Sequence, residues 1–465
     1  MTVPVIRRGE RMDAPIHVPV AIVGAGACGL TAALMLRDAG IDCVVLERDA
    51  VPSGSTALSS GFVPAPNTRV QKSKNIEDSP RRFAADIQAK AHGTAAPQLA
   101  TAYAEAIGPA IDALQASHGL EFVLLDDFLY PGHSRHRMHA VPEKTGAGLM
   151  ARLQQAAEAA DVPVVTRALV RELWLNARDE ILGIAYERPD GTLEQLACDA
   201  LILACNGFGG NAAMVQQLLP EMKDATFAGH TGNDGSAIAW GRALGARLAD
   251  LGGYQGHGSW AVPQGALVSW ALMMEGAVQI NALGQRFHNE TLGYSEAAVQ
   301  VLAQPGSVAW NVFDEALLTF ARGFPDFCEA EAAGALKRCD NEAALAAQIG
   351  CDVGALHATL AAAVAPGAAA PDGRVFKRAL QAPFYAVKVT GALFHTQGGL
   401  DIDAHCHVLH EDASPFKNLL AAGGAARGVS GNAVWGYLSG NGLLSAIAGG
   451  YIAARSAAKL LETKT

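Results

Sequence analysis

The chain carries no CxxC pair. Its eight cysteines, at positions 28, 43, 198, 205, 328, 339, 351 and 406, are scattered, which excludes an iron–sulfur ligand set or a disulfide framework and suits reduced thiols. No run of about 18 uncharged apolar residues occurs, so no membrane-spanning helix is expected. The nearest stretch, Ala446 to Leu461, is broken by Arg455 and Lys459. The first twenty residues contain Arg7, Arg8, Glu10, Arg11 and Asp13 without an apolar stretch behind them, which argues against a signal peptide. Positive charge is in deficit: the net charge of -10 makes nucleic acid an unsuitable partner. Internal repeats and low-complexity linkers are also missing. What remains is the expectation of a cytoplasmic globular protein, and 465 residues at 50% hydrophobic content suggest two domains around large cores.

Glycine, by contrast, is abundant and concentrated at strand ends. Val18 to Val23 reads as a short buried strand and runs into Gly24-Ala25-Gly26-Ala27-Cys28-Gly29, followed by a helical run from Leu30 to Ala39 and a second strand from Cys43 to Glu47. With 50 glycines in the chain, about one GxGxxG is expected by chance, so the context must carry the assignment. That context is a βαβ opening, in which glycines allow a tight turn and the helix N-terminus faces a pyrophosphate. Glu47, at the end of the second strand, is placed to accept hydrogen bonds from an adenosine ribose.

Further along, Thr145-Gly146-Ala147-Gly148 opens a helix to about Ala160, and Val162 to Thr166 and Ala168 to Trp174 read as strands. Ala200 to Ala204 makes another strand ending at Asn206-Gly207-Phe208-Gly209-Gly210. The alanine-rich stretch from Ala330 to Ala370 has a helical pattern and looks like part of an inserted domain. Strand character resumes from Phe384 to Val389, Leu419 to Gly424 gives a strand meeting a glycine turn, and a helix from Gly442 to Leu461 closes the chain.

Taken in order, eight segments resemble the flavoprotein family of fumarate reductase and succinate dehydrogenase, which includes the ketosteroid Δ1-dehydrogenases. They are Gly24 to Gly29, Ser59-Ser60-Gly61, Leu201 to Gly210, Gly232-Asn233-Asp234-Gly235, Gly276 to Glu290, His395-Thr396-Gln397-Gly398-Gly399, Gly423-Gly424 and Gly440-Asn441-Gly442-Leu443. The resemblance implies an α/β fold: a Rossmann-like FAD-binding domain in two sequence pieces, 1–252 and 388–465, with an inserted α+β capping domain at 253–387 that holds substrate. It also implies the cofactor set. Gly24, Gly26, Ala27, Cys28 and Gly29 face the pyrophosphate, Glu47 and Arg48 the adenosine, and Ser55, Thr56, Ser59, Ser60 and Gly61 the flavin side. Val170, Ala204, Asn206, Gly207, Asn233, Asp234, Gly423 and Gly424 complete the cradle with Asn441, Gly442 and Leu443, where the last helix points its positive end at the flavin pyrimidine. Two departures stand out. Members with covalent FAD carry a histidine near Ser55 or Thr56, and none is present, so non-covalent FAD is expected. Members also commonly carry Glu, Asp or Asn where this chain has Gly424, which puts one ribityl contact in question.

The reaction site departs more sharply. Fumarate reductases use an arginine shortly after the RFxNE motif as proton donor and a second, before the LGGN segment, to grip a substrate carboxylate; here the corresponding residues are Tyr294 and Tyr437. Replacing arginine by tyrosine removes a fixed charge and leaves an aromatic surface with one hydroxyl. A dicarboxylate thereby loses its anchor, whereas a neutral cyclic ketone gains a donor to its carbonyl oxygen. The resemblance to ketosteroid dehydrogenases implies that Tyr294 removes the α proton and Tyr437 polarises the carbonyl, with Tyr130 as a third candidate. His395 and His257 match positions that hold a substrate carboxylate in fumarate reductases, so a keto acid also fits; His395 is equally placed to bond a flavin carbonyl. Trp270, Trp435, Thr396 and Gly440 complete the expected substrate bed.

The expected activity is therefore an FAD-dependent desaturase acting beside a carbonyl, with oxygen, a quinone or a carrier protein receiving the electrons. The alternatives are an alkene reductase of fumarate-reductase type and a flavin-binding protein without catalysis. Two clusters supply metal-ligand types. His133, His136 and His139 are interleaved with Arg135 and Arg137, whose charge opposes a cation, and Asp403, His405, Cys406, His407 and His410 fall in an expected solvated hairpin; no metal is expected.

Overall fold

In the computed structural model, which describes residues 5–362, 367 and 369–462, the chain divides into two compact units. One comprises Met1–Leu218, Gly229–Tyr254 and His395–Thr465, the other Leu219–Ala228 and Gln255–Phe394.

The first unit is built on a parallel sheet. Val20, Ala21 and Ile22 are fully buried, as a strand covered on both faces requires. The strand His17–Val23 pairs in parallel with Cys43–Leu46 on one side and with Leu193–Leu203 on the other. Val164–Val165 extends the sheet beyond Cys43–Leu46, and Pro415–Ala421 extends it beyond residues 201–203. The strand expected over Ala200 to Ala204 is longer because its first half pairs antiparallel with Ile181–Glu187. Two helices, Ala27–Asp38 and Asn441–Glu462, pack closely because Gly450 lies at their contact: a Cβ there would stand 2.4 Å from the Cys28 carbonyl oxygen.

The second unit is α+β. Its seven-stranded sheet runs Ala266–Leu267, Tyr254–Ala261, Phe384–Thr396, Ala309–Asp314, Val278–Ile280, with Thr226–Phe227 and Leu336–Cys339 also pairing with the long Phe384–Thr396 strand. That pairing draws residues 219–228 into this unit, since Thr226 and Phe227 align with Ala392 and Leu393. The alanine-rich segment corrects one expectation. Leu336–Cys339 is a strand, antiparallel to residues 384–387, between the helix Pro325–Ala332 and the helices Glu342–Ile349 and Val353–Ala362. Gly334, at φ +79°, breaks the helix, and an available neighbour in the sheet then outweighs local helix propensity. Residues 363–366 and 368 of that expected helix lie outside the described residues. Among the described residues no single helix is long and apolar enough to cross a membrane.

Candidate active site

The glycine turn works by excluding side chains. Gly24 has φ +105°, and a Cβ there would lie 2.6 Å from the Ala204 carbonyl oxygen; a Cβ on Gly29 would lie 1.9 Å from the Gly24 carbonyl. Helix Ala27–Asp38 begins there, and its cap residue Gly26 contributes no side-chain hydrogen bond, so the first-turn amides are open to partners from elsewhere. Thr56 Oγ1 takes the Ala27 amide at 3.1 Å. Glu47 is buried, and its carboxylate accepts the amides of Ala25 at 3.0 Å and Asp49 at 2.9 Å. It braces the turn while keeping lone pairs for a ribose.

Ser55 Oγ accepts from the side-chain amides of Asn206 and Asn233, each at 2.9 Å, which leaves its own proton to donate outward. Ser59 Oγ donates to the Thr56 carbonyl at 2.7 Å and accepts the Gly61 amide at 3.1 Å, folding this segment on itself. Arg48 donates to the Gly232 carbonyl at 2.9 Å and pairs with Asp234 at 3.2 Å, tying the strand end to the 230–235 loop. Val170 is buried core, and burial pushes the Cys28 thiol up to about 12.

The glycine at 424 now has a physical reason. A Cβ on it would stand 2.1 Å from Asn206 Oδ1, so the Asn206 amide fills the space that a side chain at 424 needs. At the start of the last helix, Asn441 Oδ1 and Ser445 Oγ are buried without a hydrogen-bond partner. Such atoms are costly unless a ligand meets them. The turn, the amide cluster and these orphan atoms together fit a flavin dinucleotide.

Beside that helix start lie two of the sequence-selected residues. The rings of His395 and Tyr437 meet edge to face at 5.6 Å. The Gly442 amide donates to Tyr437 Oη at 3.4 Å, and a Cβ on Gly442 would lie 2.7 Å from His395 Nε2. Burial pulls the His395 pKa down to about 4, so the imidazole is neutral at pH 7. Thr396 Oγ1 accepts the Phe208 amide at 3.2 Å. Gly440 has φ +88°. Trp435 stacks on His92 at 4.5 Å, and Tyr130 packs edge to face with Phe62 and Phe128.

In the second unit, His257, Tyr294 and Trp270 come together. His257 stacks on Tyr294 at 4.9 Å with 20° between the planes, and Trp270 meets its edge at 5.8 Å. Burial pulls the His257 pKa down to about 3. Its Nδ1 accepts the Ser259 amide at 3.1 Å, so the proton of the neutral ring sits on Nε2. Tyr294 opens the helix Tyr294–Leu302, whose second residue, Ser295, donates to the Gly256 carbonyl at 3.1 Å.

Sequence reasoning missed the support beneath this cluster. Glu290 is fully buried, held by Arg286 at 2.5 Å and Arg374 at 2.6 Å. Although burial pushes its pKa up, the Arg286 hydrogen bond and the two guanidinium charges outweigh that and hold it below the usual range. Its backbone carbonyl receives Trp270 Nε1 at 3.0 Å, and its carboxylate receives the Gln279 amide at 2.9 Å. Arg374 also donates to the carbonyls of Met273 and Ala277. The RFxNE pattern announced Arg286 and Glu290, but Arg374 sits in no motif.

The two histidine-rich clusters serve structure. His133 Nε2 bonds the Ser439 carbonyl at 2.9 Å, His139 bonds Thr68 at 2.8 Å, and Arg137 between them pairs with Asp78 at 2.7 Å and with Asp86. Asp403 caps its own turn through the amides of His405 and His407 and the His407 ring.

Comparison with known proteins finds relatives over most of the chain. A probable fumarate reductase of Shewanella frigidimarina is 28% identical over 449 residues, 95% of this chain and 74% of that protein. The 4-oxocyclohex-2-ene-1-carboxylate 5-dehydrogenase of Sinomonas cyclohexanicum is 22% identical, covering 98% of this chain and 96% of that protein. Among solved structures, the open conformation of a flavocytochrome c3 fumarate reductase superposes with a TM-score of 0.80 at 25% identity, over 96% of this chain and 79% of that one. The 3-ketosteroid-Δ4-(5α)-dehydrogenase of Rhodococcus jostii shares the fold, with a TM-score of 0.77 at 23% identity over 98% and 100%. Residues 19–443 match the family described as FAD binding domain; the chain belongs to that family, as an FAD-dependent oxidoreductase related to fumarate reductases.

Proposed function

We propose that this protein is a dehydrogenase that introduces a C=C bond α,β to the carbonyl of a cyclic ketone or keto acid. The observation that carries the reading is the Tyr294 ring stacked on a neutral His257 at 4.9 Å, where a charge-based site would hold an arginine. Residues 291–302 contain no arginine at all. Bound FAD, held non-covalently in this reading, supplies the two-electron acceptor for the hydride that leaves the β carbon.

The protein's own groups manage the protons. Tyr437 Oη accepts the Gly442 amide, so its hydroxyl proton is directed away from that amide and is assigned to the substrate carbonyl oxygen. A donor there stabilises the developing enolate. Tyr294, as phenolate, takes the α proton, and the electron pair of that C–H bond becomes the new double bond as hydride leaves the neighbouring carbon. His257 offers Nε2–H to a polar substituent. Because the ring is neutral, it holds a carboxylate by a hydrogen bond rather than an ion pair, which suits a keto acid better than a dicarboxylate. The name of the Sinomonas relative, a dehydrogenase of a ring ketone bearing a carboxylate, supports the same class.

A second reading, an alkene reductase, is favoured by the greater identity to the probable fumarate reductase. Anaerobic mixing separates the two. Bleaching of the flavin absorbance by saturated cyclic ketones or keto acids, and its loss by about 10²-fold or more in Tyr294→Phe at unchanged flavin content, is expected. Rapid reoxidation of the reduced protein by fumarate or another alkene, without bleaching by any ketone, would select the reductase.

A further inference from the structure

A chain of buried side chains runs from the last helix to His395. Asn441 Nδ2 donates to Ser430 Oγ at 2.9 Å, Ser430 Oγ donates to Gln397 Oε1 at 2.9 Å, and Gln397 Nε2 meets His395 Nδ1 at 3.2 Å. Asn441 and Ser430 are fully buried and Gln397 nearly so, so water does not compete for these bonds.

The chemistry of the groups gives the chain a direction. An amide nitrogen only donates, an amide oxygen only accepts, and a hydroxyl has one proton to give. Asn441 donating into Ser430 commits the serine proton to Gln397 Oε1, which turns the glutamine NH2 toward the imidazole. A ring nitrogen facing a donor carries the lone pair. We propose that Gln397 and Ser430 are positioning residues that fix His395 as the tautomer with its proton on Nε2, the nitrogen beside Gly442 and Tyr437, so that His395 acts at the site as a hydrogen-bond donor and not as a base.

The frame around Gln397 holds this orientation. Its backbone amide donates to the Gly253 carbonyl and its carbonyl receives the Gly428 amide, each at 2.8 Å. A Cβ on Gly428 would stand 2.9 Å from Gln397 Oε1, so glycine there leaves room for the amide in this pose. The Thr396 carbonyl, at 3.3 Å from Nδ1, is a rival acceptor for a proton on that nitrogen. With the proton on Nε2 the ring offers a donor beside the Tyr437 hydroxyl, and two donors suit the oxygen of a carbonyl or carboxylate. The opposite polarity requires both amides to turn over.

The tautomer assignment stands apart from the ketone reading, while its effect on turnover rests on it, and two readouts keep them distinguishable. In the FAD-loaded protein labelled with 15N-histidine, multiple-bond 1H–15N spectra at pH 7.5, with His395 identified by its loss in His395→Asn, should show a protonated Nε2 and an unprotonated Nδ1. A proton on Nδ1 overturns the assignment. Gln397→Glu, whose carboxylate only accepts, should move the proton to Nδ1. Ser430→Ala should give a mixture of tautomers and Ser430→Thr should restore the wild-type spectrum; should Ser430→Ala leave the spectrum unchanged, the serine has no positioning role. In flavin bleaching by a cyclic ketone, Ser430→Ala is expected to lower kcat at least about 10-fold with KM little changed, and Ser430→Thr to recover it. A shifted tautomer with unchanged kcat would overturn the place of His395 in the proposed reaction and leave the tautomer assignment standing.

Discussion

Replacing Arg374 by methionine tests whether the buried ion network supports the reaction cluster. The substitution keeps the unbranched stem and removes the guanidinium, whose side chain is 2% exposed beside a Glu290 that is 0% exposed. Removing one partner of a buried pair costs about 3–5 kcal/mol. Arg286 stays on both Glu290 oxygens, at 3.0 and 2.5 Å, which moves the pair loss toward the lower end. The carbonyls of Met273 and Ala277 lose their charged donor as well, at roughly 1 kcal/mol or more each. A net loss of about 5 kcal/mol follows. For a unit of this size that is a fall in Tm on the order of 10 °C, readable by tryptophan fluorescence because Trp270 bonds the Glu290 carbonyl. In a double-mutant cycle with Glu290→Gln, the coupling should exceed about 1.5 kcal/mol. A loss below about 1 kcal/mol for Arg374→Met, or additive single mutants, would refute the reasoning.

Gly424→Ala should weaken FAD retention by at least about 10-fold in dialysis, since its Cβ would stand 2.1 Å from Asn206 Oδ1; adding Asn206→Gly, at a position with φ +64°, should recover part of it, and equal retention by Gly424→Ala and wild type would refute the clash. Acid precipitation should release the whole flavin absorbance into the supernatant, and colour left in the pellet would contradict non-covalent binding. Burial holds His257 at about 3 and His133, His139, His288 and His395 at about 4. The unfolded rings take up protons near pH 6.5 and the folded ones do not, so the unfolded state binds more protons between those values and stability falls as pH drops from about 6.5 toward 4. The slope is up to about 1.4 kcal/mol per pH unit for each histidine; equal urea midpoints at pH 7 and pH 5 would refute it.

Much of the frame was legible because its causes are local. The turn from Gly24 to Gly29 needs glycine for its own geometry, and a strand such as His17–Val23, apolar on both faces, announces a covered parallel sheet. Glu47 was legible by its place after the second strand, though its second task, bracing the Ala25 amide, was not. The strand Leu336–Cys339 was hidden because alanine-rich flanks favour helix while the deciding partner lies in residues 384–387. The tyrosine positions could be read only against a family pattern.

The sequence by itself determined the dinucleotide turn and the other glycine-marked family segments, since each depends on residues close together in the chain. Tertiary structure decided the rest. Glycine at 424 makes sense only with Asn206 against it, Glu290 is buried between Arg286 and the distant Arg374, and His395 acquires its tautomer from Gln397, Ser430 and Asn441. Those partners lie up to 218 positions apart, and only folding removes the water that would otherwise satisfy each polar group separately.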